Sequence, residues 1–167
     1  ENVQQATVPV LNPGESEKVK IFMLYTPKII ECLRFVEELH HGQYDKIGAP
    51  YILHPVFVAE QMDTEKATIV ALLHDVIEDT SITLDDLRDK GYSDEIIVAI
   101  DALTRRTGET YSAYIERLSN NKLARRVKIA DLRHNLQPER VAMFGNTSLV
   151  KRYQKALRIL IAIEPED

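Results

Sequence analysis

Apolar and polar positions follow a helical period along most of the chain. Apolar residues recur three or four positions apart and polar residues fill the positions between them, as in amphipathic helices. Residues suited to helix N-caps precede several of these segments: Thr26 (followed by Pro27), Thr64, Ser93 and Thr110. The pattern predicts an all-α fold, a compact bundle of roughly seven or eight helices.

Two N-terminal stretches fall outside this pattern. Residues 1–16 are polar and contain two prolines, which predicts a flexible or extended arm before a single domain at 17–167. Residues 19–25 (VKIFMLY) are the one candidate strand. A single short apolar run does not predict a sheet.

Size and charge narrow the class of protein. A chain of 167 residues fits one domain, and its formal net charge of -5 argues against a nucleic-acid polymer as partner. No apolar run approaches the length of a membrane span, so no membrane partner is expected. The single cysteine, Cys32, cannot form an internal disulfide, which favours a reducing compartment and a cytoplasmic location.

The third predicted helix, 65–79, carries unusual chemistry. Its apolar stripe consists of Ile69, Leu72, Leu73, Val76 and Ile77. The opposite arc carries an imidazole and three carboxylates, at His74, Asp75, Glu78 and Asp79. A solvated acidic face is the simpler interpretation. However, residues 71–82 contain no lysine or arginine, and carboxylates this close repel one another unless a cation neutralises them. Both interpretations remain open from this helix alone.

Two further residues favour a metal site. His54 begins the preceding helix, and Asp131 lies beside an apolar stripe, where a carboxylate is costly to bury without a partner. An ion pair of Asp131 with Arg125, Arg126 or Lys128 is the alternative. Two imidazoles and two carboxylates would suit manganese, iron or zinc.

These residues, in order, resemble a known family. His54, His74-Asp75 and Asp131 follow the H…HD…D order of the HD superfamily of metal-dependent phosphohydrolases. The segments HHGQYDKIGAPYILHPVFVAEQM, ALLHDVIEDTSIT and VKIADLRHN are similar to the hydrolase domain of RelA/SpoT-type enzymes and to small alarmone hydrolases. Those enzymes of the stringent response remove the 3′-pyrophosphate of guanosine tetra- and pentaphosphate (ppGpp and pppGpp) with manganese. The resemblance implies an all-α HD domain with that chemistry.

The resemblance also implies roles for individual residues. It makes four residues the metal ligands: His54, His74, Asp75 and Asp131. It makes Glu78 and Asp79 the catalytic pair that prepares the attacking water. The expected cofactor is one divalent ion, Mn²⁺, with Fe²⁺ or Zn²⁺ as alternatives.

The same comparison indicates residues that bind substrate. Lys46, Tyr51 and Asn135 match positions near the nucleotide. Asp45 stands where the family loop carries an arginine, which predicts weak activity on guanosine tetraphosphate and an improvement in an Asp45→Arg variant. Arg140 is a further candidate for phosphate contact, with a solvated surface charge as the alternative.

Three functional hypotheses follow. The first is a guanosine-3′,5′-bis(diphosphate) 3′-pyrophosphohydrolase, or an enzyme acting on a related nucleotide. An HD phosphohydrolase of nucleoside mono- or triphosphates is the second, and a non-catalytic nucleotide-sensing module is the third. In each case the partner is a small phosphorylated nucleotide, and the oligomeric state, including a homo-oligomer, stays open.

Overall fold

The computed structural model describes residues 25–145 and 147–163. Within them the chain forms helices and no strand, which confirms the all-α prediction. The predicted arm at 1–16 and residues 19–24 of the candidate strand lie outside the described residues. The helices are α1 (Pro27–Leu39), α2 (Leu53–Ala59), α3 (Glu65–Leu73), α4 (Val76–Asp79), α5 (Leu84–Asp89), α6 (Asp94–Leu103), α7 (Tyr111–Ser119), α8 (Lys122–Asn135), α9 (Pro138–Phe144) and α10 (Thr147–Ile163).

Hydroxyl and carboxylate side chains start several of these helices. Thr26, Thr64 and Thr110 each accept a hydrogen bond from the backbone N–H three residues later. Thr83 and Asp86 form a reciprocal capping box at α5. Each cap satisfies an N–H that has no partner within its helix. None of the helices in the described ranges is long and apolar enough to cross a bilayer.

The third predicted helix is interrupted. Residues 74 and 75 form a turn between α3 and α4. The carbonyl of Ala71, which a continuing helix would pair with the amide of Asp75, accepts a hydrogen bond from His74 Nδ1 at 2.7 Å. Pro138 stands at the first turn of α9, where a proline needs no N–H partner.

Helices α3 and α8 form the centre of the fold. All side chains of α3 from Ala67 to Leu73 are buried, because α3 is surrounded by α1, α2, α6 and α8. The apolar stripe predicted from Ile69 onward is therefore part of a helix buried on every side. Helix α8 faces two apolar clusters, with Val127 in the larger one and Leu132 in the one shared with α7 and α10.

This packing brings three separate segments to one place. The start of α2, the α3–α4 turn and the middle of α8 approach one another, since α2, α3 and α8 are mutual neighbours. Each of these segments carries a histidine or an aspartate that the sequence analysis singled out.

Candidate metal centre and active site

Four predicted ligands converge between α2, the α3–α4 turn and α8. His54 Nε2 lies 3.2 Å from His74 Nε2 and 3.2 Å from Asp131 Oδ1. Asp75 Oδ2 lies 3.0 Å from His74 Nε2 and 3.5 Å from His54 Nε2. Ligand atoms that share one metal ion at about 2.1 Å are spaced roughly 3.0–3.4 Å apart. His54, His74 and Asp131 therefore have ligand atoms close enough to share one ion, and Asp75 Oδ2 lies beside both imidazoles.

Both imidazoles are held by their other ring nitrogen. His74 Nδ1 donates to Ala71 O at 2.7 Å, which leaves the lone pair of Nε2 directed at the cluster. His54 Nδ1 and His134 Nδ1 are 2.6 Å apart. Burial and the neighbouring His54 lower the pKa of His134 to about 4, so His134 is neutral and can accept the proton of His54 Nδ1. Such contacts fix the tautomer of a metal-binding histidine.

Both carboxylates are held as well. The hydroxyl of Tyr51 donates to Asp75 Oδ2 at 2.5 Å. Asp131 Oδ1 accepts a hydrogen bond from Asn135 Nδ2 at 2.6 Å, and its Oδ2 pairs with Lys128 Nζ at 2.7 Å. Since Lys128 occupies Oδ2, Asp131 presents Oδ1 to the centre of the cluster.

The electrostatics at the centre favour a cation. Burial lowers the pKa of His54, but Asp131 and Asp75 raise it to about 9 because both carboxylates face its Nε2. Burial raises the pKa of Asp131, but the charge of Lys128 and the hydrogen bond to His54 hold it well below its usual range. Both shifts indicate ionised carboxylates facing one point, where positive charge is stabilised.

Glu78 and Asp79 lie on α4, just beyond these four residues. They share with them the lining of a cavity of about 460 Å³. Glu78 Oε1 accepts a hydrogen bond from the backbone N–H of Arg105 at 2.6 Å. Cationic side chains also line the cavity, namely Lys46, Arg105, Lys128, Arg140 and Arg152. One cavity thus combines metal-binding groups, two further carboxylates and several cations.

A larger cavity, of about 900 Å³, lies elsewhere, between α1, the start of α3 and the α5–α6 turn. Two lysines that line it already have acidic partners: Lys28 pairs with Glu65 and Lys66 pairs with Glu95. Among the described residues, the side chains spaced to share a metal ion include His54, His74 and Asp131, and none of these three lines the larger cavity. The smaller cavity is therefore the candidate active site.

Comparison with curated proteins gives one consistent set of relatives. The chain is 31% identical over 150 residues to a guanosine-3′,5′-bis(diphosphate) 3′-pyrophosphohydrolase of Borreliella burgdorferi, over 81% of this chain and 21% of that protein. It is 34% identical over 144 residues to the protein of the same name from Spiroplasma citri, over 73% of this chain and 19% of that one. It is 30% identical over 151 residues to a GTP pyrophosphokinase of Streptomyces coelicolor, over 79% and 18%. The chain thus spans about a fifth of the length of these relatives.

Over this fifth of their length, the chain is similar to the RelA/SpoT-type HD hydrolases. No family model matches it. A solved structure of a metazoan ortholog of SpoT, described as hydrolyzing ppGpp, superimposes with a TM-score of 0.63 at 23% identity, covering 81% of this chain and 88% of that one. At that identity the likeness establishes the fold, which is the all-α HD domain.

An HD domain of this family implies a divalent metal ion. The side chains present fit one: two imidazole nitrogens with fixed tautomers face the ionised carboxylate of Asp131, and the carboxylate of Asp75 lies beside both imidazoles. His54, His74 and Asp131 are buried and their ligand atoms all lie within 4.8 Å of one another. The donor set of nitrogen and oxygen suits a borderline first-row metal.

The HD domain places the predicted substrate-binding residues in two different settings. Lys46 lines the cavity and its side chain is exposed. Tyr51 and Asn135 also line it, but their polar groups bond to Asp75 and Asp131. These two contacts hold the carboxylates of two candidate ligands, and contact of Lys46, Tyr51 and Asn135 with substrate stays a prediction.

Removing the hydroxyl of Tyr51 tests this support. A Tyr51→Phe variant keeps the ring, whose centroid lies 4.7 Å from that of His40, but loses the bond to Asp75. We expect Mn²⁺ affinity, measured by calorimetry, to fall roughly 10- to 100-fold, the usual cost of losing a contact that orients a metal ligand. Tyr44→Phe, on the rim of the same cavity, is the control. Equal Mn²⁺ affinity in wild type and Tyr51→Phe would contradict this role.

Asp45 stabilises the 42–51 loop and forms an ion pair, a role that the sequence did not reveal. Its Oδ1 accepts the backbone N–H groups of Ile47 and Ala49 at 3.0 and 2.9 Å, which closes the 42–51 loop. Its Oδ2 pairs with Arg140 of α9 at 2.9 Å, and both side chains are nearly buried. Burial raises the pKa of Asp45, but these amides and Arg140 outweigh it and hold it below its usual range. The carboxylate is therefore satisfied within the protein.

This finding reverses the expectation for an Asp45→Arg variant. Arginine at this position cannot close the loop and would face Arg140, so we expect lower stability, by about 3 kcal/mol, the usual cost of breaking a buried pair. Activity should fall with it. Adding Arg140→Asp restores opposite charges and should recover part of the melting temperature. Equal melting temperatures of the single and double variants would show that the pair contributes nothing.

Several residues of the site had no signal in the sequence. Lys128 was named only as an alternative partner of Asp131, although a spacing of three on one helix places them side by side. Arg105, Tyr111 and Tyr153 enter the cavity from the α6–α7 loop, α7 and α10. No local pattern connects these segments to the HD motif, because only packing of α7 and α10 against α8 brings them there.

Proposed function

We propose that this protein is a metal-dependent 3′-pyrophosphohydrolase of guanosine 3′,5′-bis(diphosphate) and related guanosine polyphosphates. One observation carries the proposal: the cavity of about 460 Å³ holds the four candidate ligands, the Glu78–Asp79 pair and several cations together. The names of the relatives from Borreliella burgdorferi and Spiroplasma citri point to the same reaction.

The reaction requires water to add to a phosphorus atom while the 3′ oxygen of the ribose leaves. The products are guanosine 5′-diphosphate and pyrophosphate, and the departing oxygen takes up a proton. His54, His74, Asp75 and Asp131 would hold the metal, which supplies Lewis-acid chemistry at the phosphorus atom. Their fixed tautomers and hydrogen-bonded oxygens keep the four donors directed at one point.

Glu78 and Asp79 supply the proton acceptor. Both line the cavity beyond the four candidate ligands, so a water molecule attacking the phosphorus can lie within their reach. Burial and the charges of Asp75 and Asp79 raise the pKa of Glu78, against the lowering effects of the Arg105 amide and Lys128. A carboxylate with a raised pKa is a stronger base.

Cations from several segments of the fold line the cavity, as a substrate with two diphosphate groups would require. Lys46 and Arg140 come from the 42–51 loop and α9, whereas Arg105 and Arg152 come from the α6–α7 loop and α10. Arginine and lysine side chains bind phosphate oxygens through charge-assisted hydrogen bonds. These cations are the candidates for contact with the phosphates at the two ends of the ribose.

We further infer that the metal is Mn²⁺ and that the setting is cytoplasmic. Two imidazoles with two carboxylates are a ligand set that manganese accepts. Cys32 is buried, and burial raises the pKa of its thiol to about 12, so it is an inert core residue compatible with a reducing compartment.

Product analysis tests the proposal. The protein is incubated with Mn²⁺ and, separately, guanosine 3′,5′-bis(diphosphate), GTP and GMP, and the phosphorus products are identified by ³¹P NMR. We expect equimolar pyrophosphate and GDP from the first substrate. Tripolyphosphate from GTP or orthophosphate from GMP, with the first substrate intact, would assign a different HD phosphohydrolase. Nucleotide binding without any product would assign a sensing module.

A further inference from the structure

The loop between α6 and α7, residues 104–110, closes over Glu78. The backbone N–H of Arg105 donates to Glu78 Oε1 at 2.6 Å, joining segments 27 residues apart. A backbone amide has less freedom to move than a side chain. The position of the loop backbone therefore fixes the position of Glu78 Oε1. The contacts that hold the loop in place thus affect the orientation of the Glu78 carboxylate.

A partly buried ion pair holds that loop. Arg117 of α7 donates from Nε and Nη2 to Glu109 Oε1 and Oε2 at 2.8 and 2.9 Å. The same guanidinium donates to the carbonyl of Thr104 at 3.0 Å, and Glu109 Oε2 accepts the backbone N–H of Arg106 at 3.0 Å. The residues before and after Arg105 are thus both fastened to one pair, which we call the Glu109–Arg117 clamp.

The backbone of the loop is shaped for this clamp. The N–H of Glu109 donates to the carbonyl of Arg106 at 3.1 Å, forming a turn with Gly108 at a φ of 76°. That left-handed conformation favours glycine at the third position of a turn. The guanidinium of Arg105 folds back onto the carbonyl of Glu109 at 2.6 Å. The turn returns Glu109 to the start of the loop, where its carboxylate can meet Arg117.

Several charged groups act on the pKa of Glu78 together with this loop amide. Asp75 and Asp79 face it from its own segment, Lys128 from α8 and the Tyr114 hydroxyl from α7. Burial and the two aspartates raise its pKa, whereas the N–H of Arg105 and the charge of Lys128 lower it. Loss of the amide contact would therefore favour the protonated carboxyl.

We propose that Glu109 and Arg117 are positioning residues that, through the 104–110 loop, hold Glu78 in the orientation in which it accepts a proton from the attacking water. Neither residue is assigned to contact substrate or metal. The inference rests on the proposed hydrolase function. However, the effect of the clamp on the Glu78 carboxyl group can be measured without turnover.

The first measurement is a ¹³C NMR titration of the Glu78 carboxyl group in the protein without added metal. A Glu109→Gln variant keeps the size of the side chain but weakens the clamp, and we expect the pKa of Glu78 to rise by roughly 1, the share of one N–H bond to a carboxylate. Gly108→Ala strains the same turn without changing any charge and should act in the same direction. Asp63→Asn removes the ion pair with Arg126, which lies outside this loop, and is the matched control.

The second measurement uses guanosine 3′,5′-bis(diphosphate) with Mn²⁺. We expect Glu109→Gln to lower kcat roughly 10- to 100-fold, as for a misplaced catalytic group, with Mn²⁺ affinity unchanged and the acid limb of the pH–rate profile moved to higher pH. An unchanged Glu78 titration in both loop variants, or an equal shift in Asp63→Asn, would overturn the clamp. A wild type that releases no pyrophosphate would overturn the proposed function alone, because the titration still decides the clamp.

Discussion

Replacing Glu78 by glutamine and Asp79 by asparagine together is expected to lower turnover of guanosine 3′,5′-bis(diphosphate) by about 10²–10⁴-fold. Both residues line the cavity that holds the candidate ligands. The amides keep the size of the side chains, and the amide oxygen of a glutamine at position 78 can still accept the N–H of Arg105. The fold of this region should therefore persist, and what disappears is the capacity to take a proton from water.

Metal binding should survive in that double variant. None of the four candidate ligands is altered, and the loss of nearby negative charge should weaken Mn²⁺ only modestly. Nucleotide binding should persist or tighten, because the phosphates no longer face two carboxylates. Calorimetry measures Mn²⁺ binding and a pyrophosphate assay measures turnover. The exposed Asp85→Asn variant is the control for both. Loss of both metal binding and activity would show that Glu78 and Asp79 are metal ligands. Full activity would show that they only form a solvated face of the helix.

Adding Mn²⁺ is expected to raise the melting temperature of the wild type by roughly 5–10 °C at a hundredfold excess over its Kd. The reason is that three distant segments must be folded together before the four ligands meet. His74→Ala and Asp131→Ala should each remove most of this rise. Absence of any Mn²⁺-dependent rise in the wild type, with no metal found by elemental analysis, would refute the metal centre.

The Asp131→Ala and His74→Ala variants should differ in stability when no metal is present. Asp131→Ala leaves the buried ammonium of Lys128 without its partner at 2.7 Å, which typically costs about 3–5 kcal/mol. His74→Ala loses a hydrogen bond to the carbonyl of Ala71, but it leaves no buried charged group without its partner. We therefore expect the metal-free melting temperature to be lower for Asp131→Ala. Adding Lys128→Met to Asp131→Ala should restore part of that stability but none of the response to Mn²⁺.

The helical period identified the fold because amphipathic spacing and caps are local properties. Thr26, Thr64 and Thr110 cap their helices as their positions indicated. The break after Leu73 was not visible, since it depends on the ring of His74 bonding back to the Ala71 carbonyl. The pattern of residues 65–79 alone is compatible with one continuous helix.

The order of the HD motif also indicated which residues would meet. The ligand atoms of His54, His74 and Asp131 lie within 4.8 Å of one another, and Asp75 Oδ2 lies 3.0 Å from His74 Nε2. The residues that hold them were assigned differently from sequence. Tyr51 and Asn135 resembled substrate contacts, yet they bond to Asp75 and Asp131, because motif position does not reveal where a hydroxyl or amide points.

The sequence by itself determined the helical class, several of the helix caps and which positions carry imidazole or carboxylate groups, since residue type and local spacing govern all three. Tertiary structure decided the partners of those residues. Asp45 pairs with Arg140 across 95 positions and Glu78 with the Arg105 amide across 27. Such contacts depend on how α8, α9 and the α6–α7 loop pack around α3, and packing is a property of the whole chain that no local period encodes.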